Sequence, residues 1–196
     1  HIGYPVQYHP LNFSAPQVIV ETNFLTVSSV PLKHRVDCAG FLFQEKFFQR
    51  NIRTEVIEKF CLTVPDIIRI KNGDDFVTKN GETVPNHELT VAPPPPRSYA
   101  YISDTQYDDG IALNLADTNL LYHDSTFAND KKDRAAETYH CTAEQAAGIA
   151  KKAGVKKLLL GHFSARYDNL QPMLEEAKAV FENSVVAEEG VTYQVE

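Results

Sequence analysis

Several features that would narrow the function at once are missing from these 196 residues. No apolar run approaches the roughly 20 residues needed to cross a bilayer, which excludes a transmembrane helix. The N-terminal HIGYPVQYHP has neither a basic region nor an apolar stretch of signal-peptide type, so a cytoplasmic location is expected. The first residue is not Met, and the expectation is a chain that is processed, tagged or truncated. Cysteine is scarce: Cys38, Cys61 and Cys141 are odd in number, far apart and without a C-x-x-C. That argues against a disulfide framework or a cysteine zinc site and fits a reducing compartment. Net positive charge is also lacking. At −7, the chain offers no global attraction to nucleic acid, and only a local basic surface could supply one.

What is present suits one soluble domain, with 43% hydrophobic and 23% charged residues. Residues 24 to 46, FLTVSSVPLKHRVDCAGFLFQEK, read as two strands around a turn, with His34 in the polar middle. Residues 46 to 71 carry six Lys/Arg against three acids, a local +3 that leaves −10 for the rest. Such a segment is a polyanion contact or a solvated helix-plus-strand insert. KNGDDFVTKNGETVP supplies two Asn-Gly turns between short strands, and APPPPRS is a polyproline spacer. Residues 72 to 98 are thus a hairpin and spacer.

Beyond the spacer the pattern is α/β. SYAYISD alternates and ends on Asp104; DTNLLYHD ends on His123 and Asp124; VKKLLLGH ends on His162. TAEQAAGIAKKAG reads as a helix, with Thr142 and Gln145 as a capping box, a face of Ala143, Ala146, Ala147 and Ala150, and a stop at Gly154. LQPMLEEAKAVF places Leu170, Leu174, Ala177 and Phe181 on one helical face, and SVVAEEGVTYQV closes with two β segments. In open α/β sheets ligands sit beyond the carboxyl ends of the strands, so these strand ends would meet at one edge. Carboxylate and imidazole together suit zinc or a neighbouring divalent metal. Each residue alone also has a bland reading, as a loop histidine or a turn-forming aspartate.

At these residues the sequence resembles ribonuclease Z, the tRNA 3′-end processing endonuclease family of the metallo-β-lactamase fold. PLKHRVDCAGFLFQEK resembles the family's strand-borne His motif, and YAYISDT its Gly/Ser-Asp-Thr motif. LLYHDSTF resembles the His-Glu-Ala-Thr loop, with Asp124 where the family has Glu, and ETYHCTAEQAA resembles the His-Ser-Thr loop, with Cys141 for Ser. LGHFSARY is similar to the last motif, with its His and Ser-x-Arg-Tyr. Five motifs occur in family order, over essentially the whole chain after residue 20. The family's His-x-His-x-Asp-His signature is absent, since no two of the seven histidines are separated by one residue. Residues 46 to 71 also lack the glycine typical of the family's tRNA-gripping arm.

The resemblance implies an α/β fold: the C-terminal part of an αββα sandwich spanning residues 1 to 196, with an inserted arm at 46 to 71. It implies two divalent metal ions, zinc, with His34 and His162 as ligands and Asp104 as the bridge. By the same resemblance His140 is the general acid, oriented by Asp124, and Ser164 and Arg166 reach phosphate. Arg50, Arg53 and Lys59 are the arm residues that would meet precursor tRNA. Without the signature histidines, this chain is expected to bind metal weakly or not at all and to be inactive. An uncovered apolar face predicts a homo-oligomer, a dimer, or a partner chain supplying the missing half. The alternatives are a phosphodiesterase or sulfatase of the same fold acting on small molecules, and a non-catalytic interaction module.

Overall fold

The computed structural model describes residues 3–196. In chain order the elements are β1 (Gln17–Glu21), β2 (Leu25–Leu32), β3 (Cys38–Glu45), β4 (Asn51–Ile52), α1 (Thr54–Phe60), α2 (Val64–Lys71), β5 (Phe76–Val77), β6 (Thr83–Val84), α3 (Asn86–Leu89) and β7 (Thr90–Val91). They continue with β8 (Ser98–Ile102), β9 (Leu120–Asp124), α4 (Lys132–Thr138), α5 (Ala143–Ala153), β10 (Lys157–Gly161), α6 (Gln171–Val180) and β11 (Ser184–Val186). The chain divides into two compact units, one of residues 3–45 and 97–196 and one of Lys46–Pro96.

The first unit is a seven-stranded sheet in the order β1-β2-β3-β8-β9-β10-β11. It is antiparallel from β1 to β8 and parallel from β8 to β11. Strand alternation separates its two faces. Val30, Leu42, Ala100, Ile102, Leu121, Leu158 and Leu160 pack with Ala146, Ala147 and Ala150 of α5 and Met173 and Ala177 of α6. Alanines let α5 lie close to the sheet. The Thr142–Gln145 capping box starts that helix and Gly154, at φ 67°, ends it. The other face is aromatic: Phe43 stacks on Tyr99 at 5.9 Å and Tyr101 on Tyr122 at 4.8 Å. Tyr101 remains exposed, as do Val18 and Val20 of β1. Burial pushes the Tyr99 phenol up to about 12.

The second unit has its own small core of Val56, Ile70, Val84 and Leu89. A capping box between Thr63 and Asp66 starts α2. Of the two Asn-Gly pairs, only Asn80-Gly81 turns a hairpin, between β5 and β6; Asn72-Gly73 instead ends α2, with Gly73 at φ 108°. Between Gln44 and Ser98, paired residues of antiparallel neighbours, the unit occupies the place of a hairpin loop. Glu45 and Arg97 close that point by a backbone bond of 2.9 Å and an ion pair of 2.6 Å. The paired guanidinium holds the Glu45 carboxyl at about 2.

One expectation fails near the C-terminus. SVVAEEGVTYQV contains a single strand, β11, and residues 191 to 196 form none. The alternation there has no ladder to join. The Tyr193 hydroxyl instead bonds the Val186 carbonyl at 3.1 Å and the Glu188 amide at 3.0 Å.

A candidate metal and acid site at the strand ends

The parallel register brings the carboxyl ends of β8, β9 and β10 level, with Ile102 opposite His123 and Asp124 opposite Gly161. Just past them, Asp104 and His162 both adopt left-handed backbone, at φ 57° and 61°. Asp and His tolerate that region better than most residues, and here it turns both side chains off the strand axes. At Gly161, just before this turn, the strand lies against the Tyr122 ring, with no room for a Cβ.

Asp104, Asp124, His140 and His162 offer ligand atoms that lie within 4.8 Å of one another. His162 Nε2 is 3.0 Å from Asp104 Oδ1, and His140 Nδ1 is 2.8 Å from Asp124 Oδ2. The imidazoles of His140 and His162 stack at 5.1 Å. Two carboxylates and two imidazoles converging in so small a volume fit a borderline divalent cation. His34 stands outside this group of four, its ring 5.5 Å from that of His140. Its Nδ1 lies 3.2 Å from the Tyr139 carbonyl, an acceptor, so that nitrogen donates.

Asp124 is the most connected of these residues and is fully buried. Oδ2 receives His140 and the Thr105 amide at 3.2 Å; Oδ1 receives the Thr126 amide at 3.0 Å and the Thr126 hydroxyl at 2.7 Å. Burial pushes its pKa up, but the hydrogen bonds from His140 and Thr126 outweigh that and hold it below the ordinary value. The reciprocal bond raises His140 above the usual imidazole range, against the burial that lowers it. Asp therefore reaches where a longer Glu would be expected. The Cys141 thiol is buried and pushed far up, and donates to the Thr105 carbonyl at 3.2 Å.

His123 departs from the expected convergence. It shares the core-facing side of β9 with Leu121, is fully buried, and bonds the Asp124 carbonyl through Nδ1 at 2.8 Å. Burial lowers its pKa, so it stays neutral and takes no place in the cluster. Ser164 and Arg166 sit beyond His162, with Arg166 Nε bonded to Ser164 Oγ at 2.9 Å and the guanidinium 5.3 Å from the Phe127 ring centroid. Thr126 closes the stretch that resembles the His-Glu-Ala-Thr loop but was assigned no role from the sequence; its position two residues after Asp124, where a hydroxyl can close an Asp-x-Thr turn, was the available signal.

Comparison with known proteins bears on this arrangement. No family model matches the chain. It is 44% identical to a Ribonuclease Z of Bacteroides fragilis over 190 residues, 97% of this chain and 62% of that protein. The Ribonuclease Z of Parabacteroides distasonis is 41% identical over 194 residues, 99% of this chain and 64% of that protein. The chain is a homologue of ribonuclease Z. It spans about three-fifths of the length of the curated relatives it matches.

Solved structures agree on the fold. The metallo-β-lactamase fold protein YhfI of Bacillus subtilis superposes with a TM-score of 0.58 at 18% identity, over 94% of this chain and 54% of that one. The short form of human tRNase Z gives 0.54 at 19% identity, over 91% and 46%. The sheet with its helical layer is therefore of metallo-β-lactamase type, and the ribonuclease Z homology runs through both units.

Proposed function

We propose that the whole protein is a metal-dependent phosphodiesterase of ribonuclease Z type, an endonuclease that cleaves precursor tRNA at its 3′ side. The observation that carries this reading is the Asp124 carboxylate, which holds His140 through one oxygen beside the paired Asp104 and His162. The homology to proteins named Ribonuclease Z supports the substrate.

Asp104, His162 and His34 would hold divalent metal, zinc, together with residues outside this chain. When bound, such a metal supplies a water nucleophile at neutral pH and takes up charge on the phosphoryl oxygens. His140 is the general acid. Its Nδ1 is engaged by Asp124, its pKa is raised, and Nε2 is the nitrogen that hands a proton to the leaving 3′-oxygen. Ser164 and Arg166 orient the phosphate, the guanidinium by charge-assisted hydrogen bonds. By itself this chain contributes only part of each metal's shell, so its own metal affinity and activity are low. The partly exposed aromatic face of the sheet favours association, either with the rest of the protein or with a second copy as a dimer.

The residue 46–96 unit is the inserted arm. Arg53 and Lys59 are exposed on it, whereas Arg50 is bonded to Thr90 at 2.6 Å. The acids of residues 72 to 96 cancel the +3 of residues 46 to 71, since the whole unit carries seven Lys/Arg and seven Asp/Glu. That neutrality is the observation favouring the second reading, a phosphodiesterase of the same fold acting on small molecules. Precursor tRNA and bis(p-nitrophenyl) phosphate, compared over a range of salt, separate the two. Affinity for precursor tRNA that falls steeply as salt rises supports the nuclease. A salt-insensitive preference for the small diester overturns it. In the whole protein, His140→Ala is expected to slow cleavage by about 10² to 10⁴ with zinc content unchanged. Loss of zinc in that variant would make His140 a ligand instead.

A further inference from the structure

The hydroxyl of Thr126 lies at the junction of the acid pair and the metal-ligand pair. Oγ1 is 2.7 Å from Asp124 Oδ1, 2.9 Å from the His162 backbone carbonyl and 2.9 Å from His162 Nδ1. A hydroxyl has one hydrogen to give and two lone pairs that accept. Two of its three neighbours, the carboxylate and the carbonyl oxygen, can only accept. The single hydrogen goes to the carboxylate, the nearer and charged acceptor, and the contact with Nδ1 is made by a lone pair. Nδ1 must carry a hydrogen and donate it. The lone pair of a neutral His162 is then on Nε2, facing Asp104 Oδ1 at 3.0 Å. Two acceptors at that separation call for a cation or a proton between them.

We propose that Thr126 is a positioning residue that sets the tautomer of His162. It ties the ligand histidine to the same buried carboxylate that orients the acid His140, and it rests on the reading of Asp104 and His162 as metal ligands. The two loops are joined to hold this arrangement. The Ser125 amide donates to the Gly161 carbonyl at 2.9 Å and the Ser164 amide to the Thr126 carbonyl at 3.1 Å. Thr126 is itself buried, so water does not compete freely for the hydroxyl. Asp124 thus acts in two directions: directly on His140, and through one hydroxyl on His162. The acid and the metal site share one anchor.

The test uses the whole protein labelled with ¹⁵N-histidine, as wild type, Thr126→Val and Thr126→Ser. Long-range proton–nitrogen correlation spectra of the zinc-free protein at alkaline pH read the His162 tautomer, and chelator competition reads zinc affinity. The wild type is expected to show a proton on Nδ1. Thr126→Val is expected to give mixed tautomers and about 10- to 100-fold weaker zinc binding, and Thr126→Ser to restore both to within about threefold. A wild-type His162 protonated mainly on Nε2 overturns the proposal without any variant. Equal zinc affinity in the valine variant overturns it too, as does a folded serine variant that stays as weak as valine. The nuclease reading fails separately: if the wild type binds zinc but leaves precursor tRNA uncut, the tautomer assignment still stands.

Discussion

The strand-end site and the 46–96 insert use polar groups in opposite ways. At the site, a fully buried carboxylate is surrounded by an imidazole, a hydroxyl and backbone amides, and removing the carboxylate would take an acceptor from all of them at once. In the insert, polar groups other than Thr90 sit at or near the surface, around a core of four buried apolar side chains. Asp66 shows the contrast. It caps α2 through the Thr63 amide at 3.0 Å and pairs with Arg69 at 2.9 Å, with solvent close by. Burial is what turns a similar set of hydrogen bonds from a local convenience into a dependency.

The largest expected effect follows from that difference. Removing one partner of a buried charged pair typically destabilises by about 3–5 kcal/mol. Asp124→Ala is therefore expected to lower stability by about that much in urea unfolding. Asp66→Ala, which removes the N3 partner of a surface capping box, should cost clearly less. Equal losses in the two variants would erase the comparison.

A smaller effect should appear with pH. The folded value of Asp124 is depressed, so its contribution is complete above about pH 3.9 and is lost as pH falls through the folded value. The folded value of His140 is raised, so its contribution is complete below about pH 6.5 and is lost as pH rises through the folded value. In metal-free buffer, the stability gap between wild type and His140→Gln should be widest between those limits and narrow on both sides. A gap independent of pH would mean that the pair does not titrate as a unit.

The smallest effect is expected from the boldest change. Replacing residues 46–96 by a two-residue Asn-Gly turn joins Glu45 to Arg97, which already form a backbone bond and an ion pair. Loop-closure entropy changes slowly with length, about 0.6 kcal/mol per doubling, so the sheet unit should keep its thermal midpoint or gain a few degrees. A collapse of the sheet would show that the insert is part of its foundation.

The two regions were also unequally legible. Strand-end residues could be read because an apolar run ending on Asp or His is a pattern of one strand, and the capping box and Gly154 marked α5 by local chemistry alone. His123 misled because adjacent positions on a strand look alike in sequence, yet alternation sends one to the core and the next to the cluster. Thr126 stood in a quoted motif, but its role was not legible because it needs two loops that are distant in sequence. The insert was ambiguous by its charge: residues 46 to 71 look basic, and only the compact unit shows which acids belong with them. Asn72-Gly73 likewise ends a helix rather than turning a hairpin, a choice made by the capping geometry of α2.

The left-handed backbone at Asp104 and His162 has one more consequence. A residue with a Cβ gives up as much as roughly 1–2 kcal/mol in that region, Asp less than most, whereas glycine avoids that strain and gives up chain entropy instead. Relief of strain alone would therefore favour glycine at both places and dismantle the cluster. Asp104→Gly is a natural way to watch that trade: a backbone freed of strain at the cost of the carboxylate that faces His162.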